Sequence, residues 1–114
     1  MPGEFVRWLD MIPGRNWLVA GWDDEALLEE ITATKPTGVT TLADPSPLTS
    51  GTFDVAVTTQ PEALLPELRR VVVPGGIVAA YGQDSRVDQL FVKAGLHAVQ
   101  TRALAHGWAV KGMR

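Results

Sequence analysis

Apolar residues recur along the chain in two alternating rhythms. Phe5, Trp8, Leu9 and Ile12 fall at i, i+3, i+4 and i+7, which predicts a short amphipathic helix closed by Pro13-Gly14. Asn16 to Gly21 is a compact apolar run and predicts a buried strand. Asp23 or Asp24 then caps a helix with Glu25 in its first turn and Leu27, Leu28 and Ile31 on its inner face. Lys35-Pro36-Thr37-Gly38 stops it, and Val39 to Ala43 predicts a second strand. Asp44 to Gly51 is a loop of turn-forming residues, and Phe53 to Thr58 predicts a third strand. Pro61 to Val71 predicts a helix that either starts near Leu65, with Pro66 at its first position, or is kinked at Pro66. Pro74-Gly75-Gly76 reads as a turn before a fourth strand, Ile77 to Tyr81. Ser85, with Asp88 in a capping-box position, opens a helix whose buried side is Val87, Leu90, Phe91 and Ala94, and Gly95 ends it. Ala98 to Leu104 and Trp108 to Met113 flank His106-Gly107 and predict an antiparallel hairpin at the edge of the sheet.

Strands alternating with helices across short links predict an α/β, Rossmann-like three-layer sandwich. Its sheet is mostly parallel, with a C-terminal antiparallel hairpin. At 114 residues the chain suits a single domain, residues 1–114. Hydrophobic residues at 46% and charged residues at 20% belong to a globular chain and not a disordered one. The absence of cysteine excludes disulfides, thiolate catalysis and thiolate metal sites, and two histidines leave little for a metal centre. A net charge of -3 argues against nucleic acid as the main partner. No apolar stretch approaches the ~20 residues needed to span a bilayer, and the start lacks a leader pattern. The expectation is a soluble, cytoplasmic protein with no membrane partner.

Two stretches carry a family resemblance. Phe53-Asp54-Val55-Ala56-Val57 is followed by Leu64 to Val73, then by Pro74-Gly75-Gly76 and Ile77 to Tyr81. This order resembles the class I S-adenosylmethionine-dependent methyltransferases, in which an F-D-V-V-V strand precedes a helix ending L-R-R-V-L-x-P-G-G and a further strand. Phe5 to Trp17 resembles the helix and turn that lead to the family's first strand. Thr41 to Ser46 resembles the second strand and its acidic end, and the chain from Gly95 onward resembles the closing strands. The resemblance implies a transferase fold, S-adenosylmethionine as cofactor, and a cofactor site at Gly21, Trp22 and Asp44.

The chain departs from that pattern where the cofactor would lie. The family's L-D-x-G-x-G-x-G is here Leu18-Val19-Ala20-Gly21-Trp22-Asp23-Asp24-Glu25, so only the first glycine, Gly21, is kept. Those glycines allow a ligand to lie against bare backbone. Trp22, Asp23 and Glu25 place bulk and negative charge there instead, and carboxylates satisfy the helix dipole that would attract an anion. The family's helix and strand between the acidic residue and F-D-V are also missing, since only the Asp44–Gly51 loop fills the gap. Such a link falls short of the dozen or more residues expected of a parallel crossover. The link after the F-D-V strand, Thr58-Thr59-Gln60, is short as well.

Each candidate also has a structural reading. Asp44 sits at the family's ribose-binding acid but also forms Asp-Pro-Ser-Pro, a turn that bonds to its own backbone. Gly21 suits the turn out of the strand, and Trp22 fills space left by a lost ligand or stacks on a ligand ring. His97 and His106 lack a nearby carboxylate or nucleophile and read as surface or turn residues. Asp54 falls at the far end of the sheet and is expected to play a structural part, such as capping a neighbouring helix. Arg69 and Arg70 suit a helix C-terminus. Asp84 lies on the ligand side as a loop residue. No catalytic residue and no metal ligand are assigned.

The leading expectation is a shortened, degenerate methyltransferase-fold protein, a pseudoenzyme without bound cofactor that serves as a structural, regulatory or partner-binding subunit. Loss of the outer strand would leave Val39–Ala43 as an uncharged sheet edge, which predicts a two-fold homodimer or a hetero-complex that covers it. The alternative is a small active methyltransferase whose S-adenosylmethionine pocket is atypical or completed across a dimer. A third class, a binder of apolar small molecules, draws on the four tryptophans.

Overall fold

The computed structural model describes residues 2–83, 86–105 and 107–114. Ten elements follow in order: α1 (Pro2–Leu9), β1 (Asn16–Ala20), α2 (Glu25–Thr32), β2 (Gly38–Leu42), β3 (Phe53–Thr58), α3 (Pro61–Val71), β4 (Val72–Gly82), α4 (Val87–Lys93), β5 (His97–Leu104) and β6 (Gly107–Met113). The six strands form one sheet in the order β2-β1-β3-β4-β6-β5. The pairs β1–β2, β1–β3 and β3–β4 are parallel, and β6 is antiparallel to both β4 and β5.

Strand alternation sorts the core onto two faces. Trp17, Val19, Val55, Val57, Ala79 and Ala109 meet Phe5, Val6 and Leu9 of α1 and Leu27 and Ile31 of α2. Leu18, Ala20, Ala56, Val78, Ala80 and Val110 meet Leu65, Leu68 and Val71 of α3 and Val87 and Phe91 of α4. Two helices on each face make the expected three-layer α/β sandwich. No helix is long and apolar enough to cross a membrane among the described residues.

Several boundaries differ from the sequence reading for local reasons. The first helix stops at Leu9, because Asp10 turns left-handed (φ 53°) and closes the helix with a bond from its amide to the Arg7 carbonyl at 3.1 Å. Ile12 therefore lies outside the helix and is 58% exposed. Helix α3 starts at Pro61 and continues through Pro66, whose ring lies on the exposed side, away from buried Leu65 and Leu68. Between the pairs Phe53–Val72 and Val55–Ile77 the strand β4 takes up extra residues, so Pro74-Gly75-Gly76 forms a bulge inside β4 instead of a turn before it. Gly75 there has φ 82°. At Gly76 a Cβ would lie 2.8 Å from the Val73 carbonyl oxygen, so only glycine fits. The proposed Ser85 cap, Asp84 and the His106 turn lie outside the described residues.

The largest correction concerns segment 43–52. It was too short for a parallel crossover by the usual measure, yet it carries the chain from β2 past β1 to β3, with all three strands parallel. An extended chain covers ~3.3 Å per residue, so this length suffices when no helix is wound into it. The segment is held instead by the end of α3. The Arg70 guanidinium donates to the carbonyls of Leu48 (2.7 Å), Ser46 (3.1 Å) and Pro45 (3.4 Å) and to Ser50 Oγ (3.0 Å), and its Nε donates to Glu67 Oε2 (2.9 Å). The Arg70 and Val71 carbonyls accept from the amides of Gly51 and Thr52, and Leu48 packs on the α3–α4 face of the core. The place of Arg70 in the last turn of a helix suggested a dipole role first and a binding role second; its neighbours show a clamp on the chain itself.

Asp54 has the structural part expected of it, but with a strand and not a helix. Its Oδ2 accepts from the Asn16 amide at 2.8 Å and its Oδ1 lies 4.0 Å from Arg15, so it ties down the start of β1 and caps no helix.

Removing the clamp tests this reading of the crossover. Arg70→Ala should cost about 1–3 kcal/mol, the scale of charge-assisted hydrogen bonds discounted for partial exposure. Arg70→Lys should recover little, because one ammonium cannot reach that spread of acceptors. Urea unfolding midpoints read the difference; an Arg70→Ala midpoint equal to that of the parent protein would contradict it.

Candidate functional site

In open parallel sheets ligands settle outside the carboxyl ends of the strands, at the point where strand order reverses. Here that point lies between β1 and β3, since β2 is reached on one side of β1 and β3 on the other. Gly21 leaves β1 with φ 65°, and its amide donates to the Leu42 carbonyl of β2 at 2.9 Å. Its carbonyl accepts from Thr59 Oγ1 at 3.0 Å and from Gln60 Nε2 at 3.2 Å. Two side chains from the end of β3 thus reach across the crevice and bond to the turn. A Cβ at Gly21 would lie 3.1 Å from Leu64 Cδ1 and 3.2 Å from Gln60, so the turn is packed from the α3 side as well.

Trp22 follows directly. Its indole lies nearly parallel to the Tyr81 ring, 7° between planes and 5.8 Å between centroids, and meets Phe5 edge-on at 5.2 Å. Phe5 in turn contacts Tyr81 at 6.1 Å. Helix α1 and the ends of β1 and β4 therefore supply three mutually packed rings above the sheet, worth about 0.5–1.5 kcal/mol per pair beyond the area they bury. Phe5 is fully buried and Trp22 half-buried. The sequence signals Trp22 as a departure from glycine but does not reveal Tyr81 as its partner, because that contact joins residues far apart in the chain.

Of the two possible caps, Asp24 is the one that forms. Its Oδ1 accepts from the amides of Ala26 (2.9 Å) and Leu27 (3.2 Å), so the N-terminus of α2 is satisfied internally. Asp23 lines an open cleft of about 380 Å³ beside this turn, with Gly21, Trp22, Leu28, the end of β2 and Gln60. Asp44 lies one residue past the cleft wall, fully exposed. Its Oδ1 accepts from the Ser46 amide at 3.0 Å, and this backbone bond, followed by one from the Ser46 hydroxyl, holds the carboxyl below the usual aspartate range. The Asp-Pro-Ser-Pro turn thus takes the form read from sequence. The structure brings Gly21 and Trp22 together in one wall and leaves Asp44 outside it.

His97 is exposed on β5, and Arg69 packs its guanidinium against Gly95 at the end of α4 with a buried Nε that has no hydrogen-bond partner. Among the described residues no group of three or more histidine, aspartate or glutamate side chains could hold a metal ion.

No family model matches the chain, and no curated protein matches it. Solved structures do. A ribosomal protein L11 methylase from Lactobacillus delbrueckii subsp. bulgaricus superposes with a TM-score of 0.78 at 12% identity, over 99% of this chain and 76% of that one. The methyltransferase chain of a Haloferax volcanii complex with the Trm112 methyltransferase activator gives 0.76 at 12% identity, over 96% and 86%. A SAM-dependent O-methyltransferase from Thermotoga maritima gives 0.75 at 11% identity; 99% of this chain spans 64% of that one, less than two thirds of its length. At these identities the likeness is one of architecture, and the chain carries the fold of the class I S-adenosylmethionine-dependent methyltransferases.

Proposed function

We propose that this is a methyltransferase-fold protein whose cofactor crevice is filled by its own side chains, and that it works as a non-catalytic, partner-binding subunit. One observation carries the reading: the Gly21 carbonyl is bonded across the crevice by Thr59 and Gln60, and the turn is followed by an indole seated on Tyr81. S-adenosylmethionine does not fit the residues present. Thr59 and Gln60 bond the Gly21 carbonyl across the crevice, and the carboxylates of Asp23, Asp24 and Glu25 gather at the N-terminus of α2. No step of methyl transfer is therefore assigned to any residue.

The partner-binding half rests on β2. It pairs with β1 on one side only, in unbroken register, and its sequence Gly38-Val39-Thr40-Thr41-Leu42 has no charge, proline or bulge to blunt the edge. Such an edge is a template for another strand. Leu42 at its end is 37% exposed. A second copy pairing through the two-fold axis satisfies both edges at once. A methyltransferase of the same fold in complex with an activator protein is a precedent for a protein partner. The open cleft of about 380 Å³ favours the second reading, a small methyltransferase whose pocket a partner completes.

Calorimetric titration separates the two. Silence with S-adenosylmethionine and its demethylated product at millimolar concentration is expected; micromolar binding that is lost in Asp44→Ala would establish the enzyme instead. Light scattering behind size exclusion should give a dimer, and a clean monomer would remove self-association from the proposal. Trp22→Ala should lower stability by about 2 kcal/mol, less than a fully buried tryptophan would, as rings and apolar contacts are lost. A urea midpoint unchanged by that substitution would mean that Trp22 does not fill the site.

A further inference from the structure

A second cleft, of about 520 Å³, opens between α1 and the end of β5 and shares no lining residue with the one beside Gly21. Glu4, Arg7 and Trp8 form one wall and residues 102–105 the other. Arg7 and Arg102 are both exposed at its rim and neither guanidinium has a carboxylate within 4.0 Å, although Glu30 of α2 approaches Arg7 over Gly3, where an added Cβ would lie 3.2 Å from each; among the described residues the ion pairs are Arg15–Asp54 and Arg70–Glu67. Lys111 does not line the cleft but holds Trp8 in place. Its ammonium lies 4.6 Å from the centre of the Trp8 ring and donates to the Trp8 carbonyl at 3.0 Å. Glu4 is the one carboxylate in the lining, and its Oε2 accepts a long bond, 3.5 Å, from the Ala105 amide. Within the lining two guanidinium groups thus stand against one carboxylate, in a chain whose net charge is -3.

Guanidinium groups at a concave site with no ion pair of their own suit an oxyanion, which each can bind through two parallel N–H groups. Trp8, Ala103 and Leu104 supply apolar surface beside them, the mixture expected of a small-molecule site. Glu4 would repel a second anionic group. We propose that this cleft binds a small organic anion with a single oxyanion end, carboxylate or phosphate, held between Arg7 and Arg102, and an apolar body against Trp8 and Leu104. This site is independent of whether S-adenosylmethionine binds beside Gly21.

The indole N–H resonance of Trp8, assigned with Trp8→Phe, reports on the cleft in the full-length protein. Phenyl phosphate and benzoate should each shift it at millimolar concentration or below, and whichever binds tighter identifies the preferred oxyanion. Inorganic phosphate should bind more weakly than phenyl phosphate, and benzyl alcohol should leave the resonance unmoved. Arg7→Gln and Arg102→Gln should each weaken binding about tenfold, the effect of one charge-assisted bond. Lys93→Gln, exposed on α4 across the sheet, should not weaken it. Absence of any shift, an equal response to benzyl alcohol, phosphate binding as tightly as its phenyl ester, or unchanged affinity in both arginine variants with native spectra would each overturn the proposal.

Discussion

The hydrogen bonds that Thr59 and Gln60 make to the Gly21 carbonyl set the character of this molecule. A doubly wound sheet leaves a gap at its switch point because the chain departs in opposite directions on either side. In this chain the gap is bridged by two polar side chains, and the next residue is a tryptophan lying on Tyr81 and Phe5. Each contact depends on the others. The left-handed turn at Gly21 aims its carbonyl toward β3 and sends Trp22 back over the sheet, and α1 supplies the Phe5 edge that holds the indole. On the reading proposed here, architecture suited to a nucleoside ligand has become part of the protein's own packing.

The same economy governs the 43–52 segment. With no helix between β2 and β3, the chain must descend the sheet as an irregular strand of backbone whose carbonyls need partners. A single arginine at the C-terminus of α3 meets several of them, and Arg114 from the chain end donates to the Arg70 and Val72 carbonyls nearby. The cost falls on the other side of the sheet. Without a further strand β2 is left as an outer edge, and its bland composition does nothing to discourage pairing. Fold and proposed role are thus linked through that one edge.

Much of this was legible in the chain because local rules and tertiary structure agree. The run Asn16 to Ala20 is buried throughout its last four residues, as a central parallel strand should be, and Leu27 and Ile31 face inward at the expected spacing. The Phe53–Thr58 strand kept its predicted limits. Local rules failed where a distant contact or a single backbone angle decides. Ile12 matched the helical period, but Asp10 had already ended the helix. Pro66 looked disruptive, but α3 runs through it, and its place on the solvent side lets water reach the Glu62 carbonyl that its missing amide leaves unpaired. The Arg70 clamp, the Asp54 tie to β1 and the Trp22–Tyr81 stack all join residues far apart in sequence, and no spacing rule encodes them. Within the site, the departure from the glycine pattern singled out the turn, and the packing places Trp22 on Tyr81 there.

An experimental structure of the protein grown with saturating S-adenosylhomocysteine bears most directly on the filled crevice. The Trp22 indole should stay parallel to Tyr81, with Gln60 still bonded to the Gly21 carbonyl and no nucleoside density beside them. A nucleoside ordered against Gly21, with Trp22 swung away from Tyr81, would contradict it.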